Sequence, residues 1–262
     1  MDTRLAVVTG ASSGIGRAAA LRLSRDGFRI LAVGRDRGAL ARLCDEIGQS
    51  GGYADSIAVD VTAIDAPDAI VRRATTMFES AGSQTNEAGI DALVTAAGII
   101  ASGSVADTTD DAWDGMLDVN VRAPFRLIRA AIPALAARKG AVVNVSSVAG
   151  ARAFPNLAAY CVSKAAVDQL TRCAALDLAP RGVRVNAVNP GVVITNLHRR
   201  GGMDDARYTA FLEHSKATHP LGRPGTPEEI ADLIAYLVSP SAAWMTGETI
   251  SIDGGRHLTC LR

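Results

Sequence analysis

Residues 5–16 constrain the fold more than any other stretch of this chain. Leu5-Ala6-Val7-Val8-Thr9 is a short apolar run that stops at Gly10-Ala11-Ser12-Ser13-Gly14-Ile15-Gly16, and a helical pattern then continues to Arg25. Strand, glycine turn and helix are the implied order. Glycines let a backbone approach a phosphate closely, and free N–H groups at a helix N-terminus stabilise an anion. The spacing is G-x-x-x-G-x-G rather than G-x-G-x-x-G, so the turn alone is equally compatible with a tight turn and a capped helix start, Ser12 or Ser13 being the cap.

The following residues favour a nucleotide. Residues 28–33 read as a second strand, 36–47 as a helix and 56–59 as a third strand ending at Asp60. Short connections between such elements imply a parallel sheet. With 262 residues, 48% of them hydrophobic and 21% charged, the chain can bury one large core. The expected fold class is α/β: a single Rossmann-type doubly wound parallel sheet with helices on both faces, one domain over residues 1–262.

In such sheets a dinucleotide crosses the carboxyl ends of the strands, and the end of the second strand meets the adenine ribose. Gly34, Arg35 and Asp36 occupy that place. Arg35 suits a 2′-phosphate and points to NADP, whereas a register shifted by one residue would put Asp36 on a 2′-hydroxyl and reverse the preference.

Further along, residues 63–81 read as a helix, and Ser83, Gln84, Thr85, Asn86 and Glu87 as a polar surface loop. A fourth strand over 91–96 leads into Ala96-Ala97-Gly98, whose small side chains leave room for a flat ligand. Thr109 or Asp110 caps a long helix toward Ala137, with kinks or breaks at Pro124 and Pro133. Asn120 sits inside it, where asparagine usually faces solvent or bonds its own backbone. A fifth strand over 141–145 runs into Ser146 and Ser147. A hydroxyl at that place suits a substrate carbonyl oxygen, while a turn or cap role is the expectation for Ser146.

Residues 157–178 read as one helix carrying Tyr160 and Lys164 four positions apart, on a shared face. Lysine is scarce, with only Lys139, Lys164 and Lys216. An ammonium beside a phenol favours the phenolate and is expected to lower its pKa, which makes Tyr160 a candidate proton donor or acceptor. A sixth strand over 183–188 closes at Asn189-Pro190-Gly191. Residues 192–220 look irregular and rich in large side chains, as in a substrate lid. A helix over 226–238 and a strand over 249–252 complete the pattern. Ile99, Ile100, Val148, Arg152, Phe154, Leu197, Tyr208 and Phe211 are the expected pocket walls.

Composition excludes several classes. The formal charge is zero, so no nucleic-acid footprint or membrane-surface patch is expected. Four histidines lack zinc spacing, and Cys44, Cys161, Cys173 and Cys260 contain no C-x-x-C pair, so no metal is expected. The start Met-Asp-Thr-Arg is unlike a signal peptide, and no apolar run reaches the roughly 18 residues of a membrane span. A cytoplasmic protein with reduced thiols is the expectation.

Taken in order, these pieces resemble the short-chain dehydrogenase/reductase family, nearest its 3-oxoacyl reductase-like members, over residues 5–255. Thr9, Gly10, Gly14 and Gly16 match its cofactor turn, Asp60-Val61 its adenine-contacting pair, and Pro190-Gly191 with Thr195 its nicotinamide-side motif. Asn120, Ser147, Tyr160 and Lys164 match its catalytic tetrad, Ser147 lying thirteen residues before the tyrosine. The resemblance implies cofactor contacts from Ser12, Ser13, Ile15, Ala97, Gly98 and Val193 as well. Thr95 stands where the family usually has asparagine, and altered strand tethering is expected there. Ser13 stands where many NADP-preferring members have a basic residue.

The resemblance implies hydride transfer between nicotinamide and a ketone or secondary alcohol. Ser147 would polarise the carbonyl, Tyr160 exchange the proton, Lys164 hold the nicotinamide ribose and lower the tyrosine pKa, and Asn120 fix a water leading to Lys164. It also implies a homotetramer or homodimer built on the helices of residues 110–137 and 157–178. An NAD-dependent secondary-alcohol dehydrogenase is the rival within the class. A non-catalytic nucleotide-binding regulator and a structural protein are rivals outside it.

Overall fold

The computed structural model describes residues 4–79 and 88–259. The expected polar loop at Ser83 to Glu87, the first three residues and Cys260 lie outside them. Among the described residues seven strands form one sheet: β1 (Arg4–Thr9), β2 (Phe28–Gly34), β3 (Ala54–Ala58), β4 (Ala92–Thr95), β5 (Ala141–Val145), β6 (Arg184–Pro190) and β7 (Thr249–Ile252). Their order is β3-β2-β1-β4-β5-β6-β7, and every pairing is parallel. The order reverses between β1 and β4, which opens a crevice at the carboxyl ends of those strands.

Helices α1 (Gly14–Arg25), α2 (Arg37–Gln49) and α10 (Pro227–Val238) cover one face, and α3 (Ala66–Glu79), α5 (Ala123–Arg138) and α7 (Ala158–Leu178) the other. Strand alternation explains why the central strands read as unbroken apolar runs. In β1, Ala6 and Val8 pack under α1 and α10 while Leu5 and Val7 pack under α3, α5 and α7. All four are fully buried.

The long helix expected from Thr109 is interrupted. It comprises α4 (Asp110–Leu117), a single π turn at Asp118–Arg122 and then α5. Pro124 sits in the first turn of α5 and has no N–H to give the Asn120 carbonyl, so the ladder slips and Ala123 N–H bonds Asp118 O instead. Pro133 stays inside α5 without ending it. The stretch after β6 is also more regular than expected. It holds α8 (Leu197–Arg200) and α9 (Asp205–Thr218), the latter capped by Asp204, whose carboxylate accepts from Arg207 N at 2.8 Å. A short helix α6 (Val148–Ala151) lies between β5 and α7.

Side-chain bonds fasten the sheet at its functional edge. Thr9 Oγ1 accepts from Ala96 N at 3.0 Å and Ala97 N at 3.1 Å, joining β1 to the turn after β4. Thr95 Oγ1 donates to Asn144 Oδ1 at 2.7 Å, joining β4 to β5, and Asn144 Nδ2 donates to Thr171 Oγ1 of α7 at 2.9 Å. The threonine hydroxyl thus ties β4 to β5. Thr95→Val removes the donor to a buried amide oxygen and should cost about 1–3 kcal/mol in urea unfolding, whereas Thr95→Ser, which keeps the hydroxyl, should stay near wild type.

Candidate active site

The turns after β1, β2, β4, β5 and β6 converge on one edge of the sheet, where a cavity of about 960 Å³ opens. Gly10, Ser12, Ser13, Gly14, Ile15 and Gly16 line one end of it, with Arg35, Asp60, Val61, Ala97 and Gly98. Ser147, Tyr160 and Lys164 line it from the far side, with Pro190, Gly191, Val193 and Thr195. Every expected cofactor and catalytic position is therefore on its wall except Asn120. The glycines are sterically required: Gly10 has φ +67°, and a Cβ on Gly16 would lie 2.4 Å from the Gly10 carbonyl oxygen.

The two ends of the glycine turn differ in charge. Ser13 is the N-cap of α1, yet its side chain makes no cap bond; its Oγ instead accepts a hydrogen bond from Arg200 at the end of α8. At the end of β2, Gly34 is the last strand residue and Asp36 caps α2, its Oδ1 accepting from Ala39 N at 2.9 Å. Arg35 is exposed and its Nη1 stands 3.9 Å from Asp60 Oδ2. Hydrogen bonds from the Thr62 N–H and hydroxyl hold the Asp60 carboxyl below its usual range.

On α7, Tyr160 and Lys164 are both buried. Lys164 Nζ donates to Val145 O at 2.9 Å, at the end of β5, and lies 5.7 Å from the Tyr160 ring centre. Burial pushes the phenol up to about 12, with the Ser147 hydroxyl opposing, and pulls the amine down to about 8, with Asp168 opposing. The expected acidification of Tyr160 by its neighbour is thus overturned in the ligand-free protein. The cost of desolvating a phenolate wins, because the amine is aimed at a backbone carbonyl rather than at the phenol.

Asn120 contradicts the expectation of a solvent-facing side chain, being 1% exposed. Its Nδ2 donates to Ile99 O and Ser163 Oγ, both at 3.0 Å, and its Oδ1 accepts from Ile99 N at 2.9 Å. It approaches Lys164 across Gly98, where a Cβ would lie 3.3 Å from Asn120 Oδ1 and 3.7 Å from Lys164 Nζ. Ser147 Oγ caps α6, accepting from Ala149 N at 3.1 Å, and Ser146 Oγ donates to Lys164 O at 3.1 Å.

Of the expected pocket walls, Ile99, Ile100, Val148, Phe154, Leu197 and Phe211 line the cavity. Arg152 and Tyr208 do not. The Arg152 guanidinium turns away to donate to Arg256 O at 2.8 Å and to Thr259 O, and the buried Tyr208 hydroxyl donates to Thr195 O at 2.8 Å. Arg256 also lines the cavity, as do His198 and His214, which the sequence marks only as large side chains of residues 192–220, and Arg200, whose pair with Arg199 reads from sequence as a solvated face. Among the described residues no three His, Cys, Asp or Glu side chains group as metal ligands, and no helix is long and apolar enough to cross a membrane.

Residues 10–257 match a family model described as enoyl-(acyl carrier protein) reductase. The chain is 37% identical over 257 residues to the 2-(S)-hydroxypropyl-CoM dehydrogenase 3 of Xanthobacter autotrophicus, covering 97% of both chains. It is 36% identical over 261 residues to the 3-oxoacyl-[acyl-carrier-protein] reductase FabG of Staphylococcus aureus, covering 98% of this chain and 99% of that one. The crystal structure of a short-chain dehydrogenase/reductase of unknown function from Caenorhabditis elegans, with cofactor, superposes with a TM-score of 0.88 at 34% identity, covering 98% of this chain and 96% of that one.

The electrostatics of the buried pair can be measured directly. With three lysines in the chain, nitrogen-labelled lysine should give one side-chain resonance with a midpoint near 8, against the ordinary value of 10.5. It should be missing from Lys164→Met; a Lys164 resonance with its midpoint at the ordinary 10.5 would contradict the desolvation described here.

Proposed function

Because the chain belongs to the short-chain dehydrogenase/reductase family and is an NAD(P)-dependent oxidoreductase, we propose that it exchanges a hydride between NADP and a ketone or secondary alcohol, with Tyr160 as general acid/base. The observation that carries this reading is the meeting of Ser147, Tyr160 and Lys164 in the same cavity as the glycine turn. The residues fit a dinucleotide: at Gly10, Gly14 and Gly16 a Cβ would press on Ala96, Thr195 or Gly10 itself, so the turn stays bare at those three positions. Gly14, Ile15 and Thr195 would hold its phosphates, Lys164 its nicotinamide ribose, and Pro190, Gly191 and Val193 the nicotinamide side. The bound cofactor supplies or accepts the hydride.

Ser147 would orient the substrate oxygen toward the phenol. Tyr160 would then protonate that oxygen in reduction and deprotonate the hydroxyl in oxidation. The phenol, pushed up by burial to about 12, carries its proton at neutral pH and can give it to a carbonyl oxygen. Lys164, with one N–H spent on Val145 O, keeps others for the ribose and for stabilising the tyrosinate left after proton transfer. Asn120 uses its amide hydrogens to hold Ile99 and Ser163; the second lone pair of Oδ1 is the group that would fix a water toward Lys164.

Two arginines support NADP. Arg35 is the first residue past β2, where a 2′-phosphate would lie, and the rival carboxylate of Asp36 is engaged as a helix cap. Arg200, reaching Ser13 from α8, supplies the cation that the turn itself lacks. Residues 192–220 serve as the substrate lid of a single domain in this reading. Exposed Phe125 on α5, with Val162 and Leu176 on α7, supports a dimer or tetramer built on those helices. Unpaired Cys44, Cys161 and Cys173 support a reducing compartment such as the cytoplasm.

Tyr160→Phe should lower kcat for carbonyl reduction by about 100-fold or more, followed as loss of nicotinamide absorbance. Wild-type protein that binds NADPH yet reduces no member of a carbonyl panel would favour a non-catalytic regulator. Arg35→Ala should weaken NADPH about tenfold, ~1.4 kcal/mol, while leaving NADH unchanged. A weakening of NADH instead would favour the NAD-dependent alternative.

A further inference from the structure

The loop after β6 is held at both backbone polar groups of Val192 by segments outside the sheet. Val192 O accepts from Gly225 N at 2.8 Å, and Val192 N donates to His219 Nε2 at 3.1 Å. His219 follows α9 and is 2% exposed. Its other ring nitrogen, Nδ1, lies 2.8 Å from Ser215 O. A carbonyl oxygen can only accept, so Nδ1 carries the hydrogen and Nε2 presents its lone pair to Val192. The ring lies against Gly191: a Cβ there would be 2.8 Å from His219 Nε2. A second hook from the same helix is the Tyr208 hydroxyl on Thr195 O.

We infer that His219 is a positioning residue: as the neutral Nδ1–H tautomer it holds residues 191–195 in working geometry and ties them to α9. The step from geometry to turnover rests on the reading above, that these residues flank the nicotinamide. Protonation would turn Nε2 into a donor facing the Val192 N–H, and two donors cannot bond. The hook therefore opens in acid. The groups facing the ring are Ser215 and Thr218 of α9, Asp253 past the end of β7, and Arg256 beyond it. The Asp253 carboxylate accepts from Gly255 N, His257 N and the His257 ring. Burial, with Arg256, outweighs the Ser215 carbonyl and Asp253 and holds the imidazole below its ordinary 6.5. A base whose folded pKa is depressed keeps its bond above the unfolded value and loses it as pH falls through the folded one.

His219→Gln can present Oε1 to Val192 N–H and an amide hydrogen to Ser215 O without titrating; His219→Ala can do neither. Amide exchange of residues 191–195 in the ligand-free protein, corrected for intrinsic rates, should accelerate as pH falls below about 6.5 in wild type and not in His219→Gln. In turnover, His219→Gln should retain kcat within about threefold near neutrality and lose the acid limb that wild type shows below about pH 6.5. His219→Ala should raise KM for the dinucleotide about tenfold, ~1.4 kcal/mol. Wild-type loop exchange indifferent to acid, or an acid response kept in His219→Gln, would overturn the assignment. The exchange result needs no turnover, so it stands or falls apart from the reading of the reaction, and His219→Gln answers even if His219→Ala fails to fold.

Discussion

Burying a phenol and an amine one helical turn apart disfavours the charged form of each, and the surroundings of α7 are arranged around that penalty. Lys164 is desolvated but not abandoned: Val145 O takes one of its hydrogens, and Asp168, one turn further on, contributes an opposing charge. Asp168 is itself supported by Asn189 Nδ2 at 3.0 Å, just before Pro190-Gly191. The pair is thus fastened to the ends of both β5 and β6. A helix of this length would hold its own backbone, and these sheet-end contacts fix where the Lys164 amine points.

The sheet edge has to be equally definite. Parallel strands buried on both faces leave their carboxyl-end turns as the free surface at which a ligand can meet several chain segments at once. Thr9 and Thr95, with Asn144, make the central turns one unit, so that Ala97 and Gly98 cannot drift from the glycine turn. Asn120 extends the same fastening to Ile99. Its position depends on Pro124, whose missing N–H lets the helix slip into a π turn and directs the amide inward.

That slip shows where the sequence stops being legible. The strand–turn–helix order and the parallel sheet follow from local patterns, because apolar period and glycine spacing act over a few residues, whereas the grouping of Ser147 with Tyr160 and Lys164 is what the family resemblance implies. Asn120 reads as an ordinary helix-interior asparagine and Pro124 only as a kink or break, so neither the π turn nor the burial of the amide is visible in the sequence. Tyr160 was read with the right neighbour and the wrong balance: sequence gives spacing, but the dielectric around a side chain depends on what packs over it. Arg152 and Tyr208 were placed in the pocket wall by their loops, and both turned out to bond backbone carbonyls elsewhere. The segment holding α8 and α9 has little apolar one-sidedness, so periodicity marked neither helix.

That same segment touches the cleft at three separated points. Arg200 reaches Ser13 at the glycine turn, Tyr208 holds Thr195, and His219 holds Val192. Its inner side chains Leu197 and Phe211 meanwhile wall the cavity beside Tyr160. A rigid-body shift of α8 and α9 would therefore move the glycine turn, the loop after β6 and the cavity wall together. Ligand groups that contact any one of these points bias the same set of arrangements. In the proposed reading, dinucleotide binding would then shape the substrate chamber before substrate arrives, because one short stretch of chain is a wall of both.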